Sequence, residues 1–280
     1  MSFRLIFVLL AALAIAFGSR AWAQEDSSKE VSCVSSTIAS VPSRPTASNG
    51  ADTTQCGVVE VEYGFDQQWP QSNAHVNDIA GGLRLGLLPN LDFHWASTSF
   101  LSIVDQAGDR TGFGDTWLGL KYRFWSQTRR RPTMGLFYQA KIPSASDKKD
   151  LGTGQVDQSL SFLFSKDVSR FHIDFNVIPY LAGRPTSAGC DHNTGFALSA
   201  SIPVAKKLSL VGEGYGYTSL NGAHPAFAST MVGTTYQVGP RLILDGGVDV
   251  GVTSYAPRAR IYVGITCAIA NAYRWFRRPE

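Results

Sequence analysis

The stretch GFGDTWLGLKYRFW, Gly112 to Trp125, alternates large apolar and charged side chains almost without a break. Leu118, Leu120, Tyr122 and Phe124 share one parity. Asp115, Trp117, Gly119, Lys121 and Arg123 share the other. A period of two is the signature of a β-strand with two unlike faces. The fold turns on which of these faces meets water.

The same period recurs down the chain. Twelve strands are expected, at about 58–67, 76–87, 91–101, 113–125, 133–142, 156–165, 171–182, 193–202, 208–218, 226–237, 241–252 and 259–270. Most exceed the ~5–6 residues of a usual soluble strand. They suit a tilted membrane-crossing strand of roughly 9–11 residues. The links alternate in kind. LPN, SQTRRR, SKDVSR, PVAKK and VGP are short or simple; QWPQSNAH, SIVDQAGDRTG, PSASDKKDLGTGQ, AGRPTSAGCDH, SLNGAHP and TSYAP are longer or more irregular. Short turns at one end and longer loops at the other are the habit of outer-membrane barrels.

Two architectures share this pattern. A soluble β-protein buries the apolar parity; a membrane barrel turns it to lipid and keeps a polar lumen. Strand length, glycines on the polar parity and aromatics near strand ends (Phe93, Trp95, Tyr122, Phe124, Trp125, Phe171, Tyr262) favour the second. The expected fold is therefore all-β, an antiparallel transmembrane β-barrel of about twelve strands with a polar lumen.

Three segments are expected. Residues 1–23 read as a signal peptide: Arg4, an apolar run from Leu5 to Phe17, then Ala21-Trp22-Ala23 before the cut. Residues 24–56 are rich in Ser, Thr, Pro and Ala and read as an irregular extension. Residues 57–280 form the barrel. The chain has 25 basic and 22 acidic residues; without Arg4 and Arg20 the balance is 23 to 22, a net charge of about +1. No basic block points to nucleic acid. Export permits disulfides, and Cys33 and Cys56 are the candidate pair, with Cys190 in a predicted loop and Cys267 in a strand.

The inward parity collects Glu60, Glu62, Asp66, Arg84, Asp92, His94, Asp115, Lys121, Arg123, Gln139, Lys141, Asp174, Asn176, Glu213, Asp245, Asp249, Arg258 and Arg260. These are the candidate lumen-lining residues. Either they form a charged wall that selects solutes, or they form an ion-paired filling of a narrow barrel. No metal, cofactor or catalytic residue is assigned. Asp191-His192-Asn193-Thr194 bears a superficial likeness to the site of a barrel phospholipase, but lacks the serine nucleophile. Asp147, Lys148, Lys149 and Asp150 read as a solvated loop tip.

Gly112-Phe113-Gly114-Asp115 with Leu118-Gly119 and Lys121-Tyr122 resembles the G-x-G-D…L-G-x-K-Y strand of an outer-membrane family. That family is named for the meta-pathway of phenol degradation and is also labelled transporter. Lys141-Ile142-Pro143-Ser144, then Leu151-Gly152-Thr153-Gly154 and Asp157, resemble its K-L-P-T/S…L-G-T-G…D loop. Gly212-Glu213, Gly216, Leu244-Asp245-Gly246-Gly247 and Ala256-Pro257 resemble its final third. The resemblance runs from about Val58 to Ala270. It implies a barrel in the outer membrane of a Gram-negative bacterium, contacting lipid and passing small solutes, with aromatic or hydrophobic compounds suggested by the label. The alternatives are a plugged structural or surface-binding barrel and a soluble periplasmic β-protein that binds an apolar ligand.

Overall fold

The computed structural model describes residues 33–276. The expected signal peptide, residues 1–23, lies outside the described residues. Thirteen strands form: β1 (Val58–Trp69), β2 (His75–Leu88), β3 (Leu91–Asp105), β4 (Gly108–Gly112), β5 (Thr116–Trp125), β6 (Thr133–Ile142), β7 (Asp157–Val168), β8 (Phe171–Gly183), β9 (Cys190–Ala205), β10 (Leu208–Tyr217), β11 (Phe227–Gly239), β12 (Leu242–Gly251) and β13 (Ala259–Asn271).

Each spanning strand pairs antiparallel with its sequence neighbours, and β1 also pairs with β13. The twelve spanning strands thus close into a barrel with no free edge, the only strand architecture that satisfies its backbone in lipid. Closure sets Val58 opposite Asn271 and Trp69 opposite Ala259.

The extra strand, β4, corrects the reading of SIVDQAGDRTG as an irregular link. It pairs with the outer part of β3 as a hairpin. Asp105 closes the turn by accepting from the Ala107 N–H at 2.8 Å, and it binds Arg110 at 2.6 Å. Five residues without apolar alternation left no period to read. The strand expected from residue 113 starts instead at Thr116. Gly114 is diverted to donate its N–H to the Thr98 carbonyl at 2.9 Å. Cys190 begins β9 instead of lying in a loop.

The faces fall as the alternation implies. In β5, Leu118, Leu120, Tyr122 and Phe124 are exposed on the outside, while Gly119 and Lys121 are buried inside. Leu120 is 47% exposed and its neighbour Lys121 2%. Exposed apolar residues likewise mark the outward parity of β9, β11 and β13, among them Leu198, Val232, Val263 and Ile265. One aromatic departs from its expected place: Tyr262 is buried on the inward face and forms no part of an outer girdle. Leu120 lies between Phe93 and Tyr138 in the middle of the wall. Leu120→Arg should therefore destabilise the barrel by about 2–4 kcal/mol, the cost of a cation at the bilayer midplane. Urea unfolding from lipid vesicles measures this, and an unchanged midpoint would place Leu120 away from lipid.

Candidate functional site

Residues 33–56 form no strand, yet they are well placed: they run inside the barrel. A disulfide joins Cys33 to Cys56 and closes the segment into a loop. Asn271, at the end of β13, donates from its amide to the carbonyls of Cys33 and Cys56, at 2.9 and 3.4 Å. The loop therefore hangs from the seam where the barrel closes, at the end that carries the short turns.

An irregular backbone has no ladder to satisfy its N–H groups, and buried N–H groups must find acceptors. Here the barrel wall supplies them. Val41 N donates to Glu60 at 2.7 Å, and Ser43 N to Glu62 at 3.0 Å. Ala47 N and Ser48 N share the Glu213 carboxylate, at 2.7 and 2.6 Å. Asn49 exchanges two bonds with the Asn176 amide, at 2.6 and 2.9 Å. Ala51 N donates to Ser165 Oγ at 2.7 Å, and Thr54 N to Asp92 at 2.6 Å. Bonds to charged acceptors contribute about 1.5–3 kcal/mol each. The loop is thus held from β1, β3, β7, β8 and β10 at once.

Ion pairs complete the seating. Arg44 of the loop meets Asp245 at 3.2 Å and donates to the Val263 carbonyl at 3.3 Å. Arg123 meets Asp52 at 2.8 Å. Lys121 donates to the carbonyls of Gly50 and Asp52, at 3.2 and 3.3 Å. Arg84 bridges Glu60 and Glu62, at 2.5 and 2.6 Å, and donates to Ser43 Oγ at 2.7 Å. Gly64 and Gly264 face each other across β1 and β13. A Cβ on either would overlap the Arg44 side chain. The pair is a slot cut for that arginine. Gly264→Val should push Arg44 out and speed amide exchange over residues 41–49 by on the order of tenfold, since each opening loses charge-assisted bonds. Unchanged protection would mean that Arg44 does not seat the loop.

A cavity of about 350 Å³ remains between loop and wall, bounded by Arg44, Asp52, Lys121, His172, Asp174 and a row of hydroxyls that includes Ser199 and Thr235. Toward the long-loop end the lining becomes aromatic. Tyr180, Tyr215, Tyr217 and Phe227 occupy inward positions, with Tyr217 stacked on Phe227 at 5.6 Å. Tyr180 donates to Asp157 at 2.7 Å, and Tyr215 donates to Asp249.

The sequence-selected residues divide into three groups. Glu60, Glu62, Arg84, Asp92, Lys121, Arg123, Asn176, Glu213 and Asp245 hold the loop directly, while Asp174 accepts from Ser165 Oγ at 2.5 Å and His94 binds Asp92 at 2.9 Å. Asp115 and Lys141 belong to a second cluster at the long-loop end. There Lys141 meets Asp157 at 2.5 Å, Asp115 at 3.4 Å and Thr153 Oγ1 at 2.9 Å. The residues of the G-x-G-D, K-I-P-S and L-G-T-G segments thus converge on one lysine, and the 143–156 connection folds back against the mouth. Its tip, Asp147 to Asp150, is exposed. Arg260 pairs with Asp66 at 2.6 Å, across from Asp249. Gln139 is half-buried on the inward parity beside Gly119.

Arg258 corrects its expected position. It is exposed in the link before β13 and donates to the Pro70 carbonyl at 3.0 Å. His192 is exposed on the outward parity, while Asp191 is held by Arg184 and Asn221, at 2.5 and 2.7 Å. The phospholipase-like trio is not assembled. The loop partners Ser165 and Ser199 were missed because small inward serines carry no charge to mark them.

This architecture, a closed barrel with an apolar exterior and a polar lumen, defines an outer-membrane-type β-barrel. The chain belongs to the family described as "Putative MetA-pathway of phenol degradation", whose model matches residues 42–266. The match begins inside the lumen loop, earlier than the Val58 start of the sequence resemblance. Among solved structures, the fold is similar to an outer membrane channel from Pseudomonas putida F1 (TM-score 0.63, 13% identity, 82% of this chain and 99% of that chain). It is also similar to the translocator domain of the autotransporter NalP from Neisseria meningitidis (0.53, 10%, 76% and 88%) and to the NanC porin (0.51, 8%, 75% and 100%). No curated protein matches the sequence.

Proposed function

We propose that the protein is an outer-membrane passage for small solutes, with small aromatic molecules the favoured class, and that the disulfide-closed loop restricts its short-turn end. The observation that carries this reading is the unequal lining of the lumen. Its long-loop half presents Tyr180, Tyr215, Tyr217 and Phe227 beside the Lys141 ion-pair cluster, while the half that holds the disulfide-closed loop presents charges and hydroxyls without such aromatics around a cavity of about 350 Å³. Aromatic faces attract flat apolar rings through offset or edge contacts, each contributing ~0.5–1.5 kcal/mol beyond burial. Hydroxyls and carboxylates nearby suit a ring that bears a polar substituent. The family's description, with its reference to phenol degradation, supports the same class.

Liposomes carrying the protein should admit a small phenol several-fold faster than a sugar of comparable size. Replacement of Tyr217 and Phe227 by Ser should remove that preference. Equal rates for both solutes in the unaltered protein would defeat the aromatic assignment, and impermeability to both would defeat the passage itself.

A further inference from the structure

Outside the lumen, the β5–β6 turn has no explanation in transport. It carries Arg129, Arg130 and Arg131 in succession, all exposed. The turn is built. Thr128 N donates to the Arg131 carbonyl at 3.0 Å, and Arg131 N to Thr128 Oγ1 at 3.1 Å. Lys166 caps it from β7, donating to the carbonyls of Thr128, Arg129 and Arg131 at 2.5, 3.2 and 3.2 Å. Its charge is thereby spent on backbone oxygens. No carboxylate pairs with the three guanidinium groups among the described residues. The nearest acid in sequence across the β6–β7 pairing, Asp167, is bound by Gln127 and His172, at 3.0 and 2.7 Å.

The position of the turn is as telling as its charge. The Arg131 guanidinium lies 5.9 Å from the centroid of Trp125. Trp125 is half-exposed where the apolar outward parity of β5 ends, and its ring meets Phe124 edge-on at 5.3 Å. Exposed Trp at the end of an apolar wall marks the membrane–water interface. The arginines therefore stand at headgroup level. Arg170, Lys206 and Lys207 on the next two turns extend the basic rim.

Three guanidinium groups held together without a counter-charge repel one another, and phosphate is the partner their forked donors fit best. A soluble anion would satisfy the charge alone; a phospholipid would satisfy the charge and lay its chain along Trp125 and Phe124. We propose that residues 128–131 with Trp125 form a binding site for the phosphate of an anionic phospholipid in the leaflet at the short-turn end. The site rests on the membrane reading of the fold but not on transport.

The full-length protein is reconstituted in vesicles of phosphatidylethanolamine with a minor share of phosphatidylglycerol and then gently extracted, and its retained lipid is counted by mass spectrometry. Phosphatidylglycerol should be enriched about fivefold over the bulk ratio, the factor that ~1 kcal/mol of net preference gives, the contribution of a single surface arginine. R129Q/R130Q/R131Q should return the ratio to bulk, and Trp125→Ala should lower it partly. No enrichment in the unaltered protein, or equal enrichment in the triple variant, overturns the site. Enrichment unaffected by Trp125→Ala overturns the part of the site assigned to Trp125, the seat of the acyl chain. If the triple variant fails to fold, a salt titration of the unaltered protein decides: enrichment must fall as ionic strength rises, and salt-independent enrichment overturns the proposal. Heat-modifiable migration after insertion into pure phosphatidylethanolamine tests the membrane reading separately.

Discussion

Excision of residues 34–55, with Cys33→Ser and Cys56→Ser, should raise single-channel conductance in planar bilayers by on the order of tenfold, because a twelve-stranded lumen is then limited by its side chains alone. The barrel should still fold. Its strands are held by their own ladders, and β1 meets β13 through twelve paired positions that do not involve the loop. The carboxylates that now receive loop N–H groups, Glu60, Glu62, Asp92 and Glu213, would be hydrated by the water that replaces it. Conductance equal to that of the intact protein would mean that the route does not pass the loop. Reducing agent offers a milder version. Opening Cys33–Cys56 leaves every other contact in place, so the rise should be smaller than on excision.

Arg84→Met should cost about 3–5 kcal/mol of stability, the scale of stranding buried charge. Arg84 is buried and lies within 2.6 Å of both Glu60 and Glu62, and Glu60 has no exposed surface. Its loss leaves two neighbouring carboxylates, with the Val41 and Ser43 N–H groups and the Thr266 hydroxyl among their remaining donors. The triple change Glu60→Gln, Glu62→Gln, Arg84→Met removes the repulsion as well as the cation. It should recover more than half of the loss, and the difference between the variants isolates the pairing from the packing. Urea unfolding from vesicles reads both. An Arg84→Met midpoint within error of the unaltered protein would show that the pair adds nothing.

The wall was legible in the sequence and the loop was not. Period two marks Leu118, Leu120 and Tyr122 against Gly119 and Lys121 because a strand has only two faces, so one parity fixes the other. Link lengths mark the two ends for a similar reason. Residues 33–56 offer no period, and their partners lie far away in the chain: Arg44 meets Asp245 201 positions on, and Asn49 meets Asn176 127 positions on. One signal was nonetheless present. The inward parity holds more carboxylates than cations, and buried carboxylates need donors. The missing donors are the loop's N–H groups, which no side-chain inventory contains. The same limit hid the aromatic mouth. Tyr180 and Tyr217 stand on a parity that reads as polar, and only strand packing shows Gly195 making room for the Tyr217 ring.

Asn271 grips Cys33 and Cys56 from the last strand, while Glu60 and Glu62 of the first strand receive the loop's early N–H groups. The lumen loop thus touches the first and the last strand together. A chain truncated before β13 has neither the amide clamp nor the glycine across from Gly64, so its loop loses the anchor at the seam while keeping its contacts to the other strands. Seating of the loop therefore ties the first strand to the last: it is complete only when β1 and β13 lie side by side.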